Sequence, residues 1–193
     1  MTIQGELFEP ASTGGEASLV PGLTVVEDAV TAAEESELCA AIDATPLAPF
    51  QFGQWEGKRL TTHFGSAYDF SRHRLDEAPP LPDWLVAVRD NIAPQLGLDP
   101  EALKAALLIR YDPGAGIGWH RDRPQYGEVL GLSLGAACTM RLRRRTDSGF
   151  ERRRLLLKPR SAYRLSGEVR WEWEHSIAPL DVIRRSITFR TLR

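Results

Sequence analysis

The chain has 193 residues, with 24 Lys and Arg against 26 Asp and Glu, 42% hydrophobic residues and a formal net charge of -2; this suits one domain with a sizeable core and excludes a disordered, collagen-like or disulfide-built chain. No apolar run reaches the length of a membrane span, the first residues carry no basic, apolar leader, and Cys39 and Cys138 stand in no paired spacing, so the expectation is a cytoplasmic protein with two reduced, buried thiols. The charge is uneven: residues 1–57 hold ten acids and no Lys or Arg, residues 58–140 nine basic and ten acidic groups, and residues 141–193 fifteen basic against six acidic.

Residues 1–22, rich in Gly, Ser, Glu and Pro, are expected to be a flexible segment ahead of one domain over 23–193. Residues 23–30 alternate as a strand. Thr31 and Glu34 form a capping box that starts a helix with Leu38 and Ile42 on one face. Trp84, Val88 and Ile92 space a second helix from Pro82 to about Ala93, and Asp99-Pro100 opens a short third one. From residue 105 short apolar or alternating runs follow closely (ALLIRY, VLGLSLG, CTMRLR, RLLLK, AYRLS, VIRRSITFRTL), broken by Gly, Pro and charge. The predicted architecture is mainly β with flanking helices: helices and an irregular segment first, then a β core of sandwich, jelly-roll or barrel type.

His120 is the informative histidine. It lies in Gly118-Trp119-His120-Arg121-Asp122, after the turn Asp112-Pro113-Gly114-Ala115-Gly116. On extended backbone residues two apart share a side, so His120 and Asp122 can aim at one point, and His175 from a distant strand would complete a two-His-one-carboxylate set for divalent iron. On the motif alone, a hydrogen-bonded turn histidine at 120 and a surface strand histidine at 175 are the commoner readings. The last strand adds to it: alternation puts Arg184, Ser186, Thr188 and Arg190 on one face and Ile187 and Phe189 on the other, a face suited to a small dianion. Six residues of strand span roughly 20 Å, so both arginines reach one small diacid only if their side chains converge or the strand bends.

In order, HxD, a His some fifty residues on, and R-x-S-x-T-x-R, preceded by L-I-R-Y-D-P-G at 108–114, resemble the AlkB family of iron(II) and 2-oxoglutarate-dependent dioxygenases. Leu-Ser-Leu-Gly at 132–135 and Ser166-Gly167 ahead of His175 strengthen the likeness, which covers about residues 105–193 and reaches more loosely back to residue 23. The resemblance implies a double-stranded β-helix (jelly roll) over 105–193, with His120, Asp122 and His175 as Fe(2+) ligands. It further implies 2-oxoglutarate held by Tyr111, with Arg184 on its distal carboxylate, Arg190 near its metal-binding end, and Ser186 and Thr188 beside them. O2 is the other reactant. Two positions depart from the family pattern: Ile109 and Ser186 stand where Asn is common, and Ile109 can offer only its backbone.

The resemblance implies oxidative removal of N-alkyl groups from nucleobases such as 1-methyladenine and 3-methylcytosine, in DNA and in RNA or tRNA; the chain is expected to be a monomer. A nucleotide-recognition lid would occupy residues 48–75, where Phe50, Phe52, Trp55, His63, Phe64, Tyr68 and Phe70 are interleaved with Lys58, Arg59, Arg72 and Arg74. Aromatic faces and cations are what binding an extruded base requires; each aromatic taken singly reads as core of a hairpin, and the set taken with the metal site reads as the lid. Trp55 and Tyr68 are the candidate base contacts, Arg59 and His63 their companions, and Arg143, within the stripe Arg141–Arg145 and Arg152–Arg154, a candidate phosphate contact. Pro124 stands where several family members carry a base-reading acid. Two other readings remain: a tRNA-modifying or protein-hydroxylating enzyme of the same chemistry, because residues 59–66 look like eukaryotic homologues acting on those substrates, and a non-enzymatic metal-binding jelly roll, in which Arg184 and Arg190 would have no evident role.

Overall fold

The computed structural model describes residues 19–52 and 55–193, the side chains of 52–56 excepted. The strand β1 (Leu23–Val26) precedes α1 (Ala32–Ala44); then come β2 (Ala48–Phe52), β3 (Trp55–Phe64), β4 (Ser66–Asp69), β5 (Arg74–Glu77) and α2 (Asp83–Ile92). The remainder is β6 (Leu103–Tyr111), β7 (Ile117–His120), β8 (Tyr126–Leu134), β9 (Cys138–Thr146), β10 (Gly149–Leu157), β11 (Ala162–Leu165), α3 (Gly167–Trp171), β12 (Glu174–Ile177) and β13 (Arg184–Leu192). A seven-stranded sheet runs β1-β11-β8-β13-β6-β3-β2 and a four-stranded sheet runs β10-β9-β12-β7, with neighbouring strands antiparallel throughout and β4-β5 a separate ribbon.

Two cores explain why the large sheet sits in the middle. On one face Leu38 and Ile42 of α1 and Leu85, Val88 and Ile92 of α2 pack with Leu108, Leu130, Leu132, Ile187 and Phe189. On the other, Leu107, Ile109 and Tyr163 meet Met140 and Leu142 of the small sheet. Strands covered on both faces read as nearly continuous buried runs, as β8 and β13 do. The jelly-roll architecture is as expected, and no helix among the described residues is long and apolar enough to cross a membrane.

The capping box is present, with the Thr31 hydroxyl accepting from the Glu34 N–H and the Glu34 carboxylate accepting from the Thr31 N–H. Asp99 caps a 3-10 turn, Pro100–Ala102, not an α-helix. The expected strand over 23–30 stops at Val26, because Asp28 takes φ 50 in the turn that follows and its carboxylate binds Arg160. The flexible segment expected over 1–22 is corrected at its end. Val20 is buried, and the Gly22 carbonyl accepts from both the backbone and the hydroxyl of Ser166; residues 1–18 lie outside the described residues.

The segment read as a lid is largely strand. β3 extends the large sheet by pairing Leu60–Phe64 with β6, so Phe64 packs against the helix-side core while its neighbour His63 faces the other way. β8 meets Tyr163 at Gly131, where a Cβ would lie 2.2 Å from the ring. Gly131→Ala should therefore push the buried Tyr163 ring aside and cost about 1–3 kcal/mol by overpacking, read as a lower denaturant midpoint; an unchanged midpoint would mean that the ring has room to move.

Candidate active site

The three candidate ligands converge: the spacing accounts for His120 and Asp122, and strand pairing brings His175 to them. β7 and β12 are neighbours in the small sheet and pair His120 directly opposite His175, with ring centroids 4.2 Å apart. Asp122, two residues beyond His120, brings Oδ2 to 3.8 Å from His175 Nε2, and one ligand atom from each of the three lies within 4.8 Å of the others. The Gly118 carbonyl accepts from His120 Nδ1 at 2.9 Å, which leaves the Nε2 lone pair available to a metal.

The electrostatics suit a cation. Burial by itself would raise the Asp122 carboxyl, but Arg190, then His175 and His120, outweigh it and hold the group well below the usual carboxylate range. Arg190 does this by direct contact: its Nε and Nη2 lie 2.9 and 2.7 Å from Asp122 Oδ1, so Oδ2 stays on the metal side. Burial, followed by the neighbouring His120, lowers His175 to about 3. Burial also lowers His120, against the pull of Asp122. Both rings are thus neutral near pH 7, the form that binds a metal ion.

Arg184, Ser186, Thr188 and Arg190 line one cavity of about 900 Å³ between the sheets, while Ile187 and Phe189 face the helices. Arg184 is 1% exposed and donates from Nη2 to the Ser133 hydroxyl at 3.0 Å, but Nε and Nη1 have no partner and no carboxylate pairs with it among the described residues. Tyr111 lies 5.1 Å from its guanidinium. Arg190 contacts Asp122, and Arg184, six residues earlier on β13, lines the same cavity. Ile109 contributes an apolar wall.

Of the substrate-side candidates, Arg59, His63 and Tyr68 line the cavity, together with Phe50 and Phe70. Arg59 lies 3.8 Å over the Phe50 ring, and Arg123 lies over both Tyr68 and Phe70. The side chain of Trp55 lies outside the described residues. Arg143 lies outside the cavity on the outer face of β9, the side to which alternation assigns it, paired with Glu174 and stacked on Trp119 and Phe150. Pro124 lines the cavity wall.

Arg170 escaped the sequence reading. It is 3% exposed and donates to the carbonyls of Asp122, Arg123, Tyr126 and Gly127, which pins the loop that carries Asp122. An arginine beside Val169 on a five-residue helix has no periodic signature; its buried partners are 43 to 48 residues away in sequence.

Burial, with Arg190 and Arg59 nearby, lowers His63 from its ordinary 6.5 to about 4. Between these values the unfolded chain holds the extra proton, so the fold loses stability as pH falls. His63→Gln should lose less stability than the parent between pH 7 and pH 5 by denaturant midpoint. Equal losses would show that His63 is not held neutral.

Residues 22–190 match the 2OG-Fe(II) oxygenase superfamily. The chain is 30% identical over 184 residues to the tRNA (carboxymethyluridine(34)-5-O)-methyltransferase ALKBH8 of Mus musculus, covering 91% of this chain and 27% of that protein. It is also 30% identical over 207 residues to the alkylated DNA repair protein ALKBH8 homolog of Arabidopsis thaliana, covering 90% of this chain and 56% of that protein. The chain thus spans roughly a quarter and a half of these relatives' lengths. The OsALKBH1 structure superposes with a TM-score of 0.67 at 14% identity, covering 91% of this chain and 99% of that one. A Pseudomonas putida prolyl-4-hydroxylase superposes with a TM-score of 0.60 at 16% identity, covering 89% and 93%; both likenesses concern the fold. The reactants of this superfamily, Fe(2+), 2-oxoglutarate and O2, fit the residues present: two neutral imidazoles and a carboxylate for the metal, and a buried guanidinium with two free nitrogens for a dicarboxylate. The chain belongs to the 2OG-Fe(II) oxygenase superfamily, as an AlkB-like dioxygenase.

Proposed function

We propose that the chain oxidatively removes N-alkyl groups from nucleobases, such as 1-methyladenine and 3-methylcytosine, in DNA or RNA. The observation that carries this reading is one cavity with the metal set and an unneutralised Arg184 on one side and an aromatic, cationic rim of Phe50, Arg59, Tyr68 and Phe70 on the other. A planar base between aromatic faces, beside guanidiniums that suit its phosphate, fits that rim.

His120, Asp122 and His175 would hold the iron, and Arg184, with Tyr111, Ser186 and Thr188 beside it, the cosubstrate. Iron, 2-oxoglutarate and O2 together supply oxidation of a carbon–hydrogen bond, here on the alkyl group. The protein's own residues orient and exclude. Arg190 keeps Asp122 ionised and engages one of its oxygens. Neutral His120 and His175 offer lone pairs without first losing a proton. The apolar wall of Leu107, Ile109 and Met140 keeps water from the cosubstrate side. Arg123 over Tyr68 and Phe70 braces the rim on which a base would stack.

A second reading, oxidation of a modified base in tRNA, draws support from relatives whose names refer to a tRNA methyltransferase, at 30 and 33% identity. The superfamily match favours either reading over a metal-binding module without activity.

Incubation of methylated oligonucleotides, as DNA, RNA and tRNA fragments, with iron, ascorbate and 2-oxoglutarate should yield a mass loss of one methylene unit on the preferred substrate; oxygen gain without loss would favour the second reading, and no change on any would count against both. His120→Ala and Asp122→Ala should each reduce succinate release to background, and persistent turnover in both would overturn the metal assignment. Arg184→Ala should raise the 2-oxoglutarate concentration needed for half-maximal turnover by about 10- to 100-fold, the loss expected for a charged hydrogen-bonding group. An unchanged requirement would remove Arg184 from that role.

A further inference from the structure

The small sheet has an outer face as well as the inner one that carries His120 and His175. Alternation along β9 turns Met140 and Leu142 inward and Arg141, Arg143 and Arg145 outward. β10 is an edge strand, and its register sets Arg154 opposite Arg141, Arg152 opposite Arg143 and Phe150 opposite Arg145. Two cross-strand pairs are therefore arginine against arginine on one solvent-facing surface, an arrangement that destabilises a sheet by itself.

Carboxylates do not relieve it. Of the hairpin's two acids, Asp147 in the turn makes no ion pair among the described residues and Glu151 binds Arg144 and Arg153, which alternate to the other side; Glu168 and Glu172 also bind Arg144. Among the described residues the outward five, at 141, 143, 145, 152 and 154, have one ion-paired acid between them, Glu174 on Arg143. Two aromatic rings share the face: Trp119 lies under Arg141 and Arg143, and Phe150 under Arg143, Arg145 and Arg152. Trp119 is the residue before His120 and also borders the cavity, so the basic face runs to the mouth of the site.

We propose that this outer face is a docking track for the nucleic-acid strand flanking the nucleotide in the cavity. The inference rests on the nucleic-acid reading above and adds its place. A row of guanidiniums with little internal neutralisation matches the repeating charge of a phosphate backbone, and like-charge repulsion across β9 and β10 is relieved when the polyanion binds. The same alternation excludes Arg144 and Arg153, which sit in the same basic run of sequence but are already paired.

The test is equilibrium binding of fluorescein-labelled 15-mers, as single-stranded RNA, single-stranded DNA and duplex, to the full chain over a salt series. The double variant Arg152→Gln/Arg154→Gln should weaken binding at least tenfold at low salt. It should also flatten the plot of log affinity against log salt by about 1.4 for a single strand, or roughly 0.7 for each phosphate that the variant no longer neutralises. Its thermal midpoint should be no lower than the parent's. Arg153→Gln, on the same strand but the other side, should bind like the parent, and Arg145→Gln on β9 should repeat part of the loss. If the parent binds with a steep salt slope and the double variant is indistinguishable from it, or Arg153→Gln is equally impaired, the docking track is overturned while the nucleic-acid reading stands. If the parent binds none of the three forms, that reading fails and the track with it.

Discussion

The burial of cations controls this structure. Arg184 and Arg190 project from one strand into one cavity, and only Arg190 has a carboxylate beside it. Removing a guanidinium from water costs several kcal/mol unless its hydrogen bonds are replaced. The Asp122–Arg190 contact makes that replacement for one of them, and it ties the loop after β7 to the middle of the large sheet, with Arg170 clamping the same loop from behind. The metal site is therefore organised by arginines before any metal enters. Arg184 is different. It retains two free donors in an apolar wall, so an anionic ligand relieves a cost the fold already carries, and stability should rise with ligand occupancy as mass action requires.

What can be read from the chain beforehand follows from what is local. The HxD pair and the face of Arg184, Ser186, Thr188 and Arg190 are legible because strand alternation has a period of two and needs no partner to be known. The capping box at Thr31 and Glu34 is legible for the same reason. His175 can be named only through order along the chain and a family likeness, since its position across from His120 depends on which strands pair. The misreadings also lie in pairing. What is not legible for Arg143, which alternation turns outward, is its carboxylate: Glu174 is 31 residues away and arrives on β12. Phe64 reads as a member of an aromatic lid, but pairing β3 onto β6 turns it to the helix side and leaves His63 in the cavity. Arg170 has no signature at all, because its partners are carbonyl groups and any residue supplies those.

The net charge of -2 gains a spatial meaning from the same facts. The acids of the first third meet basic residues from the last: Glu27 with Lys158, Asp28 and Glu35 with Arg160, and Asp43 with Arg185, while Asp43 also reaches Arg110. These pairs lie between the helix-bearing N-terminal segment and the strands it covers, so the acidic and basic ends of the sequence neutralise each other there. Exposed pairs of this kind contribute little stability individually, and their larger effect is to decide where positive charge remains. Much of it remains in the cavity and on the outer face of the small sheet, which are the two faces of the same four strands. A chain near neutrality can therefore present a basic surface without being a basic protein, because the acids that reach β9 and β10 bind Arg143, Arg144 and Arg153 and leave Arg141, Arg145, Arg152 and Arg154 without a carboxylate among the described residues.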